Sequence, residues 1–224
     1  MPLTDAIINL AQDLVTLENP WYTWPINVDR LPEGITIPNG SPYYQNVSLK
    51  QQLNERWKNA NNQEKVALVD YYISVWGGIR RNKLEKIRTY ALETPDQLIA
   101  LGKTGIASWS KALCIRDPND YAIYDARVSV ALNALQAINN AEQPQLFPLL
   151  EGQNKLIKRA TARLRQYAAQ QHWALLGAQE FYRRYIKVIS KAAINLGFPL
   201  YTVEMLLFAK AEDLYKKAFP NDQF

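Results

Sequence analysis

The chain has 224 residues, 48% of them hydrophobic, and a formal net charge of +5. This hydrophobic content excludes intrinsic disorder as the default state, and the length suffices for a sizeable core in one large domain or two small ones. One cysteine and one histidine exclude a disulfide framework, an all-cysteine metal site and a four-cysteine iron–sulfur cluster, so we expect neither a metal nor another cofactor.

Helical periodicity begins near the N-terminus and predicts a first helix that ends at Pro20. From residue 20 to residue 47, five prolines are interspersed with tryptophans and tyrosines, a density that forbids a long helix. We therefore predict an extended, proline-rich segment that is held to the body of the protein by its aromatic rings, with short strands over residues 34–37 as an alternative.

Three further helices are predicted over residues 48–57, 62–76 and 83–92. The third of these would bury Leu84 on its inner face. Thr94 and Pro95 form a strong helix start, because threonine is a good N-cap and proline suits the first helical position. The helix that begins there ends at Gly102, and Pro118 ends the one that follows.

The pattern in the second half of the chain is helical as well. A helix opened by Asp125 runs to Ile138, and others are predicted over residues 153–170, 178–196 and 202–218. Gly177 and Gly197 stand where helix C-terminal caps belong. These nine or ten helices predict an all-α fold, a compact bundle that forms one domain over residues 1–224. Two lobes around a cleft are an alternative arrangement of the same helices.

The stretch from residue 98 to residue 132 contains two helices joined by a tight turn between Gly102 and Gly105, and an aspartate that opens a third helix. It resembles the helix-hairpin-helix motif and the following loop of the base-excision DNA glycosylases, the superfamily that includes the 8-oxoguanine and alkyladenine glycosylases. Their shared pattern is Leu-x-x-Leu-Pro-Gly-hydrophobic-Gly, followed at a fixed distance by an aspartate.

Leu98, Leu101 and Gly105 match this pattern, and Asp125 lies at the family's distance from the hairpin. Glycine and lysine stand where the family has Pro-Gly, and a second alignment starts the hairpin at Gly105 itself. The resemblance covers about 35 of the 224 residues. It implies a DNA N-glycosylase that flips a damaged or modified base out of duplex DNA and cleaves the bond between base and sugar.

The resemblance implies that Asp125 is the catalytic carboxylate. Its charge would stabilise the positive charge that develops on the sugar, and it would activate a water molecule. The alternative interpretation is a helix N-cap, a role that aspartate fills well and that is compatible with the first.

Bifunctional relatives add a lysine just after the hairpin, which forms a Schiff base with the sugar and gives lyase activity. The two alignments put Ala107 or Trp109 at that place, and Lys111 is the nearest amine. We therefore consider Lys111 a candidate nucleophile, with a solvated surface lysine as the alternative. Trp109 at this place is similar to the alkyladenine branch, which uses the aspartate alone.

The hairpin turn is the predicted DNA anchor. Backbone N–H groups at Lys103, Thr104 and Gly105, and at the start of the next helix, would point at a phosphate. Lys103 adds a positive charge, and Ser108 or Ser110 adds a hydroxyl. Such contacts hold the DNA backbone without reading its sequence. The alternative is an ordinary turn between two helices.

A second candidate is the segment from residue 76 to residue 82, in which a tryptophan and two glycines precede Arg80 and Arg81. In the superfamily a loop between early helices fills the gap that the flipped base leaves, and arginine suits this role by pairing with the orphaned base or a phosphate. The alternative is a tight turn with a core tryptophan. We predict that Trp76, Trp109 and Tyr121 line the pocket for the base.

Two helix faces also carry a basic stripe, which would either contact the duplex or be solvated. The stripes consist of Lys155, Arg159 and Arg163, and of Arg183, Lys187 and Lys191.

The expected partner is double-stranded DNA, with no membrane and no small-molecule cofactor. We expect a cytoplasmic, intracellular protein, because no apolar run is long enough to span a bilayer. Two other functions stay open: a non-catalytic helix-hairpin-helix DNA-binding protein, and a helical scaffold in a protein assembly.

Overall fold

The structure, a computed structural model, describes residues 1–15 and 21–222. Within those residues it contains ten α-helices and one two-stranded sheet, which confirms the predicted all-α fold. The helices are α1 (Leu3–Val15), α2 (Pro42–Asn59), α3 (Asn62–Asp70), α4 (Leu84–Leu92), α5 (Pro95–Ala100), α6 (Ile106–Arg116), α7 (Ala126–Ile138), α8 (Lys155–Gln170), α9 (Phe181–Leu196) and α10 (Leu200–Ala218). The predicted end of the first helix at Pro20 lies outside the described residues.

The chain forms two compact units. The central unit comprises Asn19–Ile123, and the terminal unit comprises Met1–Glu18 together with Tyr124–Phe224. Because the terminal unit is built from both ends of the chain, α1 belongs with α7 to α10, whereas α2 to α6 form the central unit. The hairpin stretch therefore belongs to the central unit, and Asp125 belongs to the terminal unit.

Helix α2 begins at Pro42 rather than at the predicted Ser48, so the proline-rich segment ends at residue 41 and not at residue 47. The Ser41 hydroxyl caps the helix by accepting a hydrogen bond from the N–H of Tyr44 at 3.3 Å. The prediction was wrong because proline breaks a helix only in its interior, while its fixed φ favours the first turn. Over residues 21–41 the backbone has a 3-10 turn at Val28–Arg30 and no strand, residues 34–37 included.

Aromatic side chains hold the proline-rich segment to the central unit, as the sequence predicts. The Tyr22 side chain is buried. The indole N–H of Trp24 donates to the carbonyl of Trp76 at 3.1 Å, and the Asn46 amide donates to the carbonyl of Trp24 at 2.9 Å. The segment is thus fixed by both its rings and its backbone.

A π-helical turn over Tyr71–Trp76 continues α3 within the predicted helix of residues 62–76. The N–H of Gly77 bonds to the carbonyl of Tyr72 at 3.1 Å, which is the wide spacing of such a turn. Single π-helical turns occur frequently at functional sites. This turn determines where Trp76 and Gly77 lie.

Two local predictions were wrong. Leu84 is 69% exposed, because it is the first residue of α4 and the covered part of that helix starts one turn later. Gly177 caps no helix C-terminus: α8 ends at Gln170, and His172 takes the left-handed conformation, with φ 52°, that follows its end. Gly197 does cap α9, as predicted, with φ 66°.

The sheet in the terminal unit was not predicted. Strands β1 (Gln145–Leu146) and β2 (Ala174–Leu175) pair in parallel, with Gln145 opposite Ala174.

Two buried amide side chains on α7 fix the loop that contains β1. Gln136 exchanges two hydrogen bonds of 2.9 Å with the backbone of Gln145, and Asn133 exchanges two with the backbone of Phe147, at 3.0 and 3.1 Å. Side-chain amides of α7 thus satisfy backbone groups of β1 and of the residue that follows it, in addition to the pairing with β2.

Candidate functional site

The predicted hairpin is present in the central unit. Thr94 caps α5 through a capping box with Gln97, and the chain reverses over residues 101–105 before α6 begins. Gly102 and Gly105 both adopt the left-handed conformation, with φ of 56° and 71°. At Gly105 a side chain is also excluded by space, because a Cβ atom there would overlap the hydroxyl of Tyr90. Conformation and packing therefore both require glycine at this position.

The tip of the hairpin is open to solvent. Lys103, Thr104 and Gly105 are exposed, and among the residues that the structure describes no side chain caps the N-terminus of α6. The first N–H groups of a helix carry a partial positive charge, which the Lys103 ammonium reinforces. The N–H of Thr104, predicted to face a phosphate, instead donates to the carbonyl of Leu101 at 3.2 Å, and the N–H of Ile106 donates to the carbonyl of Lys103 at 3.4 Å. The donors that the tip can offer to an anion are therefore the N–H groups of Lys103, Gly105 and Ala107.

The two serines that follow the hairpin lie inside the central unit and not on its surface. The Ser108 hydroxyl accepts from the Asn82 amide at 2.8 Å, and the Ser110 hydroxyl donates to the carbonyl of Ile106 at 2.6 Å. Both side chains are buried, with at most 4% exposure. The prediction that Ser108 or Ser110 contacts a phosphate was therefore wrong. The two hydroxyls instead stabilise the start of α6.

Lys111 is buried, with 4% exposure, so the interpretation as a solvated surface lysine is wrong. Its ammonium donates to the carbonyl of Ala107 at 2.7 Å, and its stem covers Gly77, where a Cβ atom would lie 2.6 Å from Lys111 Cε. Helix α6 and the end of the π-helical turn are thus packed together through a lysine stem and a glycine.

The three aromatic residues predicted to line a base pocket differ in exposure. Trp109 is fully buried, and its indole N–H donates to the carbonyl of Thr104 at 3.2 Å, so this side chain stabilises the hairpin turn.

Trp76 and Tyr121 are half-buried. The Trp76 ring stacks on Tyr72 at 4.3 Å, lies 5.4 Å from the Lys50 ammonium and donates its N–H to Asn46 at 2.8 Å. This tryptophan is held on several sides.

Arg80 and Arg81 follow that tryptophan on the surface. Both side chains are exposed, and neither forms an ion pair with any residue in the described parts of the chain. Gly78, which precedes them, has φ 68° with open space around it. These arginines and Lys103 are therefore accessible cations of the central unit.

Asp125 opens α7 in the terminal unit as its N-cap. One carboxylate oxygen accepts from the N–H of Val128 at 3.0 Å, and the side chain is half-buried. Burial, with a smaller contribution from the Asp125 charge, raises the pKa of the neighbouring Tyr124 well above its usual value. Tyr124 is thus a neutral donor, and its hydroxyl bonds to the carbonyl of Pro148 at 2.8 Å. The aspartate therefore has a fixed position and a solvent-accessible side.

The central unit brings together the predicted DNA contacts and Lys111, whereas Asp125 is in the terminal unit. Sequence reasoning missed Asn82 and Tyr90, which position the hairpin through Ser108 and Gly105. No local signal marks either residue, because both act through contacts that only the folded chain makes. It also missed Arg184, which lines a cavity of the terminal unit together with Lys187 and Lys191.

No cluster of metal-binding side chains occurs among the residues that the structure describes. Over the same residues no single helix is long and apolar enough to cross a membrane. Helices α9 and α10, which meet at an angle of 108°, have the length and apolar composition of a membrane span only when they are taken together.

Comparisons of the chain with models of protein families, with curated proteins and with solved structures found no match.

Proposed function

We propose that the protein is a DNA N-glycosylase of the helix-hairpin-helix type that removes a damaged or modified base from duplex DNA. The observation on which this proposal depends is the hairpin: an exposed turn between two left-handed glycines, followed by a helix N-terminus without a side-chain cap. The spacing in sequence between the hairpin and Asp125, which resembles that of the glycosylases, supports the enzymatic part of the proposal.

The hairpin binds a phosphate of the DNA backbone. The backbone N–H groups of Lys103, Gly105 and Ala107 donate to the phosphate oxygens, and the exposed Lys103 side chain supplies a full positive charge. Arg80 and Arg81 contribute further accessible cations. These contacts are independent of base sequence, so recognition of the base depends on flipping it out of the stack.

Asp125 provides the chemistry. As the sugar–base bond breaks, positive charge develops on the sugar, and a carboxylate close to the ring lowers the energy of that state. The oxygen that does not accept from Val128 orients the attacking water. The N-cap bond keeps the side chain in one rotamer, so the catalytic and structural roles support each other.

We propose base release without lyase activity. A Schiff base requires an unprotonated amine that reaches the sugar. The Lys111 ammonium instead donates to Ala107 and lies over Gly77 inside the central unit. Lys111 thus positions the hairpin helix, and the residues that follow the hairpin, Ala107 and Trp109, have no amine.

The test is incubation of the protein with duplexes that each contain one modified base: an alkylated purine, an oxidised purine, uracil or a methylated cytosine. We expect strand cleavage at one of these bases only after hot alkali, and no covalent adduct in borohydride. A borohydride adduct that disappears in Lys111→Ala would contradict release without lyase activity. If none of the duplexes is cleaved after hot alkali, the proposal that the protein is a DNA glycosylase is wrong.

A non-catalytic DNA-binding hairpin protein is the second candidate. It is favoured by the hydrogen bond between Asp125 and Val128, since a purely structural N-cap makes the same contact. This candidate predicts salt-dependent binding of unmodified duplex with no abasic site formed in any substrate of the panel.

A further inference from the structure

A cavity of about 370 Å³ lies within the terminal unit, against the basic side of α9. This volume is in the range of small-molecule sites. It is bounded by the first residues of α1, by the end of α7, by the loop that follows it and by α9. The residues that determine its chemistry are Gln136, Glu142, Phe147, Arg184, Lys187, Val188 and Lys191.

Three of these residues form a row of cations. Arg184, Lys187 and Lys191 are exposed, they lie on successive turns of α9, and none of them forms an ion pair with the residues that the structure describes. From the first to the last, the row extends for about 10 Å along the helix, at 1.5 Å per residue. Glu142 is the only acidic side chain of the lining, so the cavity wall is positive.

The inner wall of the cavity is apolar and fixed. Phe147 and Val188 are buried, with 1% and 6% exposure. Phe147 is held by its two backbone hydrogen bonds to Asn133, and Gln136 by its two bonds to Gln145, so the wall is formed before any ligand arrives. A preformed pocket with one apolar wall and one row of cations fits a ligand that has a flat apolar part and a chain of anionic groups.

We propose that this cavity binds a nucleoside di- or triphosphate. The base and sugar would lie against the accessible apolar side chains of Met1, Pro2 and Leu3, over the buried Phe147 and Val188. The phosphates would extend along α9, where Arg184 can form a bidentate pair. A chain of phosphates can contact more than one cation of the row, whereas a single phosphate would contact one end of it. The proposal does not depend on the glycosylase activity, because it uses only residues of this cavity.

The test is calorimetric titration of the full chain with ATP, ADP, adenosine and inorganic phosphate. We expect ATP and ADP to bind more tightly than adenosine or phosphate alone. The double variant Arg184→Gln/Lys187→Gln should weaken ATP binding by about tenfold or more, because it removes two charge-assisted contacts. The matched control, Lys83→Gln/Lys86→Gln, removes two exposed cations at the start of α4, in the central unit and outside the cavity, and should leave the Kd within about twofold.

Two results would overturn the proposal. One is the absence of ATP binding at millimolar concentration. The other is an equal loss of ATP binding in the cavity and control variants, which indicates nonspecific attraction to positive charge. Duplex DNA is titrated in parallel: if the cavity variant loses DNA affinity while wild-type protein binds no nucleotide, the row is a DNA contact and not a nucleotide site.

Discussion

The hairpin tip and the first turns of α6 are neighbours in the sequence, and both were predicted to contact DNA, but they differ completely in environment. At the tip, Lys103 and Thr104 are exposed. One turn later, Ser108, Ser110 and Lys111 are buried, and their polar atoms bond within the central unit. The backbone and charge of the tip are therefore accessible to a partner, while the polar side chains behind it hold the tip in place.

The largest effect is expected at the base of the tip. Gly105→Ala places a side chain in the left-handed region and against the Tyr90 hydroxyl, and should lower the free energy of unfolding by roughly 2–4 kcal/mol. Urea denaturation measures it. Gly78→Ala is the matched control, since Gly78 has a similar φ with open space, and should cost about 1 kcal/mol.

Tyr90→Phe sharpens this prediction. In the Gly105→Ala background it removes the hydroxyl that the new methyl group meets, and should restore about 1 kcal/mol or more of the lost stability. Equal destabilisation by Gly105→Ala and Gly78→Ala would show that packing against Tyr90 contributes nothing.

The second prediction concerns Lys111. Lys111→Ala removes both the ammonium that bonds to Ala107 and the buried stem that covers Gly77, and should lower the free energy of unfolding by about 2–4 kcal/mol. Lys103→Ala at the exposed tip should change it by less than about 0.5 kcal/mol. Thermal or chemical denaturation of the two variants decides between a buried and a solvated lysine, and equal effects would contradict the comparison.

A smaller effect on stability is expected at Asp125. Asp125→Ala removes the N-cap bond to Val128 and should cost about 1 kcal/mol of unfolding free energy, whereas asparagine also caps helices and should cost less than about 0.5 kcal/mol. Denaturation curves measure both variants. Identical losses in the two would show that charge rather than capping determines the contribution.

The smallest effect is on DNA affinity. Lys103→Gln should weaken binding of unmodified duplex a few-fold and reduce the slope of log K against log salt by about 1, because one phosphate contact is lost. Fluorescence anisotropy over a salt series measures this slope. Ser110→Ala, which alters a buried hydroxyl, should leave the slope unchanged. A changed slope in Ser110→Ala with none in Lys103→Gln would reverse the roles of tip and α6.

Much of the helical fold could be predicted from the sequence, because amphipathic periodicity and local caps are short-range signals. Thr94, Gly105 and Asp125 all mark helix starts as predicted. Pro42 was misjudged for a local reason, since a proline that starts a helix looks like one that breaks it.

The features that the sequence did not reveal depend on distant parts of the chain. Lysine has a high intrinsic preference for the surface, and the burial of Lys111 requires the space above Gly77, which only the folded chain supplies. The pairing of Gln145 with Ala174 likewise joins two short segments that have no strand periodicity. The sequence left one domain and two lobes as alternatives, because the division into two units follows from which helices pack together and no linker composition marks it.

The most direct test of the central claim is single-turnover base release by wild-type protein and Asp125→Asn, on the duplex that the substrate panel selects. We expect Asp125→Asn to bind this duplex with a Kd within about twofold of wild type, because asparagine keeps the cap and the hairpin is unchanged. Base release should fall by about a hundredfold or more, as for the loss of a group that stabilises developing charge. If Asp125→Asn releases the base at the wild-type rate, Asp125 is not the catalytic carboxylate.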